Sequence, residues 1–356
     1  MHNKCLRHLV SPITHEALYQ KGRKLYTLNK AEVYHVVRGV PILLDDDTSA
    51  DWHREIMEVL LWQYPAKIDV MYTKVDWSTF EGPSKTYIEY ISALLKNKEG
   101  ILSAVHHYSR AKTDQWIIHH RGTQPVSSEA ISAFKKHNNK KRGATKLTSV
   151  RNNGEDQWAT YLPRYVEQVH SGGPSVLLEL STGSGFGTAA VADQKQDSCT
   201  MYTMDISFDC HGNAAGIAKY LHISDTLFPV CANFWHMPFA DESVDAVCSN
   251  FGLDESREMQ RTIAEVSRVL KTGGRFVNVS RSNASLRSFN LFEPFGFTRE
   301  ETVEVIKTAR IYSDTESLID ECEGHGLTLR EKYDFQASNE QTREVTVSTF
   351  IRERTT

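Results

Sequence analysis

The sequence predicts an α/β protein: a doubly wound, Rossmann-like parallel sheet preceded by a small β module and a helical segment. From about Gln157, apolar strand-like runs alternate with helical stretches, as in βαβ units around a parallel sheet. A glycine-rich turn follows the first of these buried runs directly, as in nucleotide-binding sheets. At roughly 150 residues per domain, the 356 residues correspond to about 2.4 domains, so two or three are expected.

The composition excludes several classes of protein. The chain has 41 Lys and Arg against 45 Asp and Glu, so its formal net charge of −4 argues against a nucleic-acid partner bound by bulk charge. With 40% hydrophobic and 24% charged residues, neither a disordered nor a fibrous chain is expected. The polar start, Met1 to His8, does not resemble a signal peptide, and no apolar run is long enough for a membrane span. We therefore expect a cytoplasmic protein without a membrane partner.

The residues that commonly bind metals do not occur at ligand spacing. No two cysteines form a C-x-x-C pair, which argues against a disulfide framework or a thiolate zinc site and favours reduced thiols. The pairs His106-His107 and His119-His120 consist of adjacent residues, whose side chains point apart. No metal is expected. The six cysteines are Cys5, Cys199, Cys210, Cys231, Cys248 and Cys322.

Residues 1–48 are predicted to form the small β module. Residues 25–28, 34–37 and 42–44 are β-prone, with a turn at 38–41. The segments 8–14 and 34–44 resemble the zinc-ribbon-like domain that activates tRNA and protein methyltransferases. Where members of that family carry paired cysteines, this chain has Ser11 and Thr14, whose hydroxyls are poor zinc ligands, so the resemblance implies the fold without the metal.

Residues 49–150 are predicted to be mostly helical. Ser49 is a candidate N-cap for a helix that ends at Pro65, and further apolar stripes continue to about His137. Between Lys135 and Arg151 there are seven basic residues and no acidic one. This stretch is interpreted as a solvated linker, with a lid or a contact for an anionic substrate as the alternative.

Residues 151–356 are predicted to form the doubly wound domain. A helix over 158–169 comes first, and another spans 256–270. The buried strand candidates are 176–180, 201–204, 227–230, 246–249 and 275–280, and 327–333 with 345–351 are candidates for an edge pair.

Polar and glycine residues follow three of these strands in a pattern that suits a nucleotide. The stretch from Glu179 to Gly187 places glycines between a buried strand and a helix that begins near Thr188, where backbone amides can approach a ligand closely. The next strand ends at Asp205, an acceptor for ribose hydroxyls. Asn233 and Phe234 follow the third strand.

These elements, together with 265–276, resemble the class I S-adenosylmethionine-dependent methyltransferases over roughly residues 155–352. The resemblance implies S-adenosyl-L-methionine as cofactor. It implies that the loop holds the methionine and ribose, Asp205 the ribose and Asn233 the adenine amino group, while 268–274 is scaffold. The implied cofactor-binding residues are Glu179, Ser181, Thr182, Gly183, Gly185, Asp205, Ile206, Asn233, Phe234 and Asn250.

Two positions depart from that family's pattern. Ser181 stands where the loop usually has its first glycine, and we expect a serine to fit only with a negative φ. Asn233 replaces a common aspartate, but an amide both accepts and donates. A nicotinamide-binding fold is the main alternative, although the loop lacks the third glycine of G-x-G-x-x-G at Thr188.

The sequence leaves the acceptor open. Methyl transfer needs alignment and a base only if the nucleophile arrives protonated. The candidate catalytic residues are His236, Asn250 and Asp254, with packing for His236 and helix capping for Asp254 as alternatives. The preferred acceptor is a small molecule or a modified peptide of a specialised pathway. The alternatives are an RNA or translation-factor methyltransferase and a non-catalytic binding protein. A homodimer is left open.

Overall fold

The computed structural model describes residues 3–37, 39–44, 161–183, 185–205, 211–253, 256, 259–281, 298–308, 314–335 and 344–353. The predictions for the helical segment 49–150, its histidine pairs and the basic stretch 135–151 lie outside these residues. So do Cys210, Ile206 and Asp254. None of the helices in the described ranges combines the length and the apolar character that crossing a membrane requires.

Eleven strands of the described residues form one sheet. In chain order they are β1 Leu18–Lys21, β2 Lys24–Thr27, β3 Val33–Val37, β4 Val40–Leu43, β5 Val176–Leu180, β6 Thr200–Asp205, β7 Leu227–Ala232, β8 Val244–Asn250, β9 Leu270–Arg281, β10 Leu327–Phe335 and β11 Val345–Arg352.

The strand order is β1-β2-β3-β4-β7-β6-β5-β8-β9-β11-β10. From β4 to β9 every neighbouring pair is parallel, whereas β11 runs antiparallel to both β9 and β10. The chain leaves β5 for β6 on one side and later returns to place β8 on the other, so the order reverses between β5 and β8. Ligands of open α/β sheets bind at such a switch point, outside the carboxyl ends of the strands.

Helices cover both faces of the parallel strands. They are α1 Leu162–His170, α2 Phe186–Gln194, α3 His211–Tyr220, α4 Met259–Val269, α5 Arg299–Thr308 and α6 Thr315–Gly324. One buried cluster joins the sheet to α4 and α6, through Val266 and Leu318 for example, and a second joins it to α1, α2 and α3. The doubly wound architecture expected from the alternating pattern is confirmed.

The seven strands expected after residue 175 are all present. Each occupies its expected position. β5 has the expected bounds, and the other six are one to several residues longer than the apolar runs that indicated them, as in β9, which begins at Leu270 instead of Arg275. Three of the helices begin near but not at the expected residues: α1 at Leu162, α2 at Phe186 and α4 at Met259.

The first strands continue the central sheet. β1 to β4 form antiparallel hairpins, and β4 then pairs in parallel with β7 through Ile42–Cys231 and Leu43–Ala232. A short 3-10 helix over Asn3–His8 and strand β1 have no counterpart in the sequence prediction. The expected turn over 38–41 is shorter than predicted, because residues 40 and 41 already belong to β4.

Ser11 is the centre of a hydrogen-bond cluster in this region. Its hydroxyl accepts from the backbone amides of Ile13 and Thr14, both at 3.0 Å, and donates to the Glu32 carboxylate. The Tyr34 hydroxyl lies 3.2 Å from it and donates to Glu32. The Ser11 hydroxyl and the Glu32 carboxylate therefore tie the turn to Tyr34 in β3. Within the described residues no group of three His, Cys, Asp or Glu side chains could hold a metal ion.

Candidate functional site

The polar ends of four adjacent strands define the candidate site. In the order β7-β6-β5-β8 the carboxyl ends carry Asn233, Asp205, the loop from Ser181 to Gly185, and Asn250. These residues are up to 70 positions apart in the chain, and the parallel pairing brings them to one edge. The site therefore spans the switch point between β5 and β8, as expected for a nucleotide-like ligand.

Backbone hydrogen bonds fix the loop after β5. The Ser181 and Thr182 amides both donate to the Met204 carbonyl, at 2.7 and 3.2 Å. The Gly183 amide donates to Oδ2 of Asp205 at 2.8 Å. Gly185 has φ 83° and begins helix α2, a left-handed conformation that glycine adopts without cost. The Thr182 side chain, by contrast, is buried against the Thr203 hydroxyl.

Ser181 does not have the negative φ that we expected. Its φ is 65°, in the left-handed region, where an L residue costs roughly 1–2 kcal/mol. Two contacts explain the difference. The Ser181 amide is held by Met204, and the serine side chain occupies space opened by Gly252, where an added Cβ would lie 2.2 Å from the Ser181 Cβ. The glycine across the switch point thus makes room for the serine.

Glu179 lies inside the sheet beneath the loop. Its Oε2 accepts from the Thr188 hydroxyl at 2.6 Å. Complete burial raises the pKa of its carboxyl to about 8, because the charged form loses its hydration. The Glu179 side chain therefore anchors the first turn of α2 from below.

Gly187 allows α2 to approach the strand ends. A Cβ at this position would lie 3.0 Å from Oε1 of Glu179 and 3.0 Å from the Asn250 Cβ. Asn250 in turn accepts through Oδ1 from the Tyr161 hydroxyl at 2.9 Å. Burial raises the pKa of Tyr161, so the phenol keeps the proton that it donates. Sequence reasoning missed Tyr161 because its partner is 89 positions away.

Asn233 contributes a buried donor for which the described part of the chain holds no partner. Its Oδ1 accepts from the Trp235 amide at 3.1 Å, whereas Nδ2 is buried without any hydrogen-bond partner in the described residues. The residue is only 5% exposed, and a buried donor left unpaired costs free energy. Nδ2 is thus a group to which a ligand with an acceptor nitrogen or oxygen could bind. Phe234 is half-buried and packs against the first core cluster.

Arg268 holds the segment that follows Asn233. Its guanidinium donates to the backbone carbonyls of Met237 and Phe239, at 2.9 and 2.7 Å, and forms an ion pair with Glu265 at 2.6 Å. Glu265 also accepts from the Met237 amide. This clamp fixes the chain after β7 from the side of α4. Arg268 was expected only as part of the scaffold over 268–274.

The imidazole of His236 contacts Arg261. Its Nε2 lies 3.2 Å from the Arg261 guanidinium, which has only donors, so Nε2 is the acceptor in this hydrogen bond. Asn250 lies at the end of β8 as expected, next to the loop. Ile206 and Asp254, the remaining predicted site residues, lie outside the described residues.

The sheet topology also decides against the nicotinamide alternative. A dinucleotide-binding sheet is built from two βαβαβ halves with six parallel strands. Here β11 runs antiparallel between β9 and β10, so the second half is not a parallel repeat of the first.

These strand ends offer groups that suit a nucleotide-like ligand. They carry an acidic acceptor at the end of β6, a buried amide donor after β7 with no partner in the described residues, and the glycine-rich turn after β5. The absence of a Cβ at Gly187 and Gly252 lets α2 and the segment after β8 pack closely against Glu179, Asn250 and Ser181 at this edge.

Comparisons with known proteins agree with this geometry. Residues 178–278 match the family model described as a methyltransferase domain. The chain is 29% identical to a demethylmenaquinone methyltransferase of Lactiplantibacillus plantarum, over 32% of this chain and 48% of that protein. It is 25% identical to a malonyl-[acyl-carrier protein] O-methyltransferase of Nitrosospira multiformis, over 29% of this chain and 38% of that protein.

A solved structure with a similar fold is the N-methyltransferase NodS from Bradyrhizobium japonicum, with 15% identity, a TM-score of 0.44, and coverage of 57% of this chain and 99% of that one. The chain spans about half the length of the first curated relatives it matches. Residues 178–278, which include β6 to β8 and most of β5 and β9 of the doubly wound sheet, therefore match a methyltransferase domain.

Proposed function

We propose that this protein transfers a methyl group from S-adenosyl-L-methionine to a small molecule or a modified peptide. The observation that carries the proposal is the buried Nδ2 of Asn233, which has no partner in the described residues, together with the carboxylate of Asp205 at the end of the neighbouring strand, within the region that matches a methyltransferase domain. When bound, the cofactor supplies a methyl group on a sulfonium, which is electrophilic without further activation.

The donor half of the site is proposed to divide the cofactor among three strand ends. Asp205 accepts from the ribose hydroxyls while it keeps the Gly183 amide in place. Asn233 donates through Nδ2 to a ring nitrogen of adenine, and Phe234 lies beside the ring. Ser181, Gly183 and Gly185 hold the methionine part, with the Ser181 hydroxyl as a donor to its carboxylate.

The acceptor half is proposed to lie beyond β8. Asn250 sits between the loop and Tyr161, so its amide can orient an acceptor next to the methyl group. Asp254 remains a candidate base, whereas the contact of His236 with Arg261 makes His236 the weaker candidate. The names of the relatives, which mention demethylmenaquinone and malonyl-[acyl-carrier protein], favour a small or carrier-bound acceptor.

The first 150 residues are proposed to complete the enzyme in two parts. Residues 1–48 are proposed to be a metal-free relative of the zinc-ribbon-like activator domain, with Ser11, Glu32 and Tyr34 in place of the metal. Residues 49–150 are proposed to cover the acceptor pocket of the domain at 151–356. Deleting residues 49–150 should leave cofactor affinity intact and abolish turnover, and a truncated protein with normal turnover would exclude that role.

The test of the proposed activity is mass spectrometry of an extract of the source cells after incubation with the protein and methyl-labelled S-adenosylmethionine. We expect one class of small molecule or peptide to gain one methyl group. Label recovered in RNA or in a translation factor would support the alternative assignment instead. Cofactor binding with no labelled product would favour the non-catalytic binding protein.

A further inference from the structure

A cavity of about 270 Å³ lies at the amino ends of β6 and β7, the edge of the sheet opposite the proposed cofactor site. It is lined by the 3-10 helix at the start of the chain and by the residues that precede or begin β6 and β7. The lining residues are Lys4, Arg7, His8, Asp197, Ser198, Thr200 and Thr226.

This cavity is distinct from the proposed methyl-donor site. Thr200 begins β6 and Asp205 ends it, so five residue steps of roughly 3.3 Å, or about 16 Å, separate the two edges. The 3-10 helix forms one wall of the cavity, and the Tyr202 hydroxyl holds this helix against the sheet by donating to the Cys5 carbonyl at 3.1 Å.

The lining groups are mostly hydrogen-bond donors. Lys4 and Arg7 carry positive charge, Ser198 and Thr200 offer hydroxyls, and Asp197 is the only acidic side chain in the lining. Arg7 is exposed and forms no ion pair with an acidic side chain in the part of the chain that the structure describes. Charged donors of this kind recognise oxygens of phosphate or carboxylate groups.

Two positive charges act on the histidine of the lining. Burial is the main cause that lowers the pKa of His8, and the charges of Arg7 and Lys271 lower it further, against a smaller opposing effect of Asp245.

We propose that this cavity binds an oxyanion, namely the phosphate or pyrophosphate group of a small metabolite. Its volume is below that of most pockets for whole cofactors, so it suits one such group with a small substituent. Because the cavity joins the first eight residues to the amino edge of the sheet, a bound anion stabilises the docking of that segment. This inference goes beyond methyl transfer and does not depend on it.

The experiment is calorimetric titration of inorganic pyrophosphate into the full chain. We expect saturable binding that Arg7→Gln weakens at least tenfold. Arg23→Gln, which neutralises another exposed arginine of the same region, is the matched control and should bind like the unaltered protein. Ser198→Ala tests a hydroxyl donor and should weaken binding several-fold.

The outcomes separate this site from the cofactor site and from a polynucleotide. Arg7→Gln should bind S-adenosylmethionine with unchanged affinity, so a failure of the anion site does not depend on the proposed activity. No saturable binding of pyrophosphate, or equal affinity of Arg7→Gln and Arg23→Gln, overturns the proposal. Binding of a single-stranded oligonucleotide without binding of pyrophosphate would also overturn it, in favour of a polynucleotide backbone.

Discussion

The contact between Ser181 and Gly252 gives a prediction that can be worked out from the coordinates. In Gly252→Ala the new Cβ would lie 2.2 Å from the Ser181 Cβ and 2.9 Å from the Leu180 carbonyl oxygen. Neither partner can move freely, because Leu180 belongs to β5 and the Ser181 amide is bound to Met204. Overpacking of this kind costs typically 1–3 kcal/mol, and we expect about 3 kcal/mol here.

The opposite kind of change, removal of the side chain at Ser181, should stabilise the protein. Ser181→Gly removes the cost of a left-handed L residue, roughly 1–2 kcal/mol, which the greater chain entropy of glycine in the unfolded state offsets by about 0.5–1 kcal/mol. We therefore expect a net gain of about 0.5–1 kcal/mol. When Ser181 is already replaced by glycine, Gly252→Ala should cost at least about 1 kcal/mol less in unfolding free energy than it does in the unaltered protein, because the contact with the Ser181 Cβ is gone.

The assay is the free energy of unfolding in urea for the four proteins of this cycle. Gly324→Ala is the control, since a Cβ there would meet nothing within 4 Å and should change stability by less than about 1 kcal/mol. Additivity of the two changes within about 0.5 kcal/mol, or a loss of stability in Ser181→Gly, would refute the steric reasoning.

Three further changes test other parts of the structure. The pKa of Glu179 is about 8 in the folded protein against 4.5 without burial, so folding takes up a proton between these pH values and the stability of the protein falls as pH rises. Glu179→Gln does not titrate, so its advantage in the free energy of unfolding should grow from pH 5 to pH 8. A difference that stays constant over this range would contradict the burial argument. Asn278 is fully buried with neither amide atom paired in the described residues, so Asn278→Leu should raise the free energy of unfolding by about 1–3 kcal/mol, whereas a loss would indicate an unseen partner such as a buried water. Arg268→Ala removes the guanidinium from the Glu265 carboxylate and from the carbonyls of Met237 and Phe239, so the free energy of unfolding in urea should fall by about 3 kcal/mol. A loss below about 1 kcal/mol would exclude the clamp.

The strands were predictable because buried parallel strands are continuous apolar runs. β5 is buried at all five positions and matches its prediction at both ends. The pairing of β4 with β7 was not predictable, because it rests on two residue pairs almost 190 positions apart and leaves no local pattern.

The positions of some candidate site residues were predictable, because glycine at a tight turn and an acidic residue at a strand end each leave a local sequence pattern. The glycines of the loop and Asp205 at the end of β6 occupy the expected positions. The φ of Ser181 was wrongly predicted because a local steric rule cannot include Gly252, which is 71 positions away in the chain. The clamp by Arg268 was missed for the same reason, since its carbonyl partners precede it by about 30 positions.

The most direct test of the cofactor site is calorimetric titration of S-adenosylmethionine into the full chain and into Asp205→Ala, with the unfolding midpoint of both proteins measured as the control for folding. We predict one saturable site in the unaltered protein and at least tenfold weaker binding in Asp205→Ala at a similar unfolding midpoint, because the ribose loses its acceptor and the Gly183 amide its partner. Equal affinity of the two proteins, or no binding to either, would contradict a cofactor site at the ends of β5, β6 and β7.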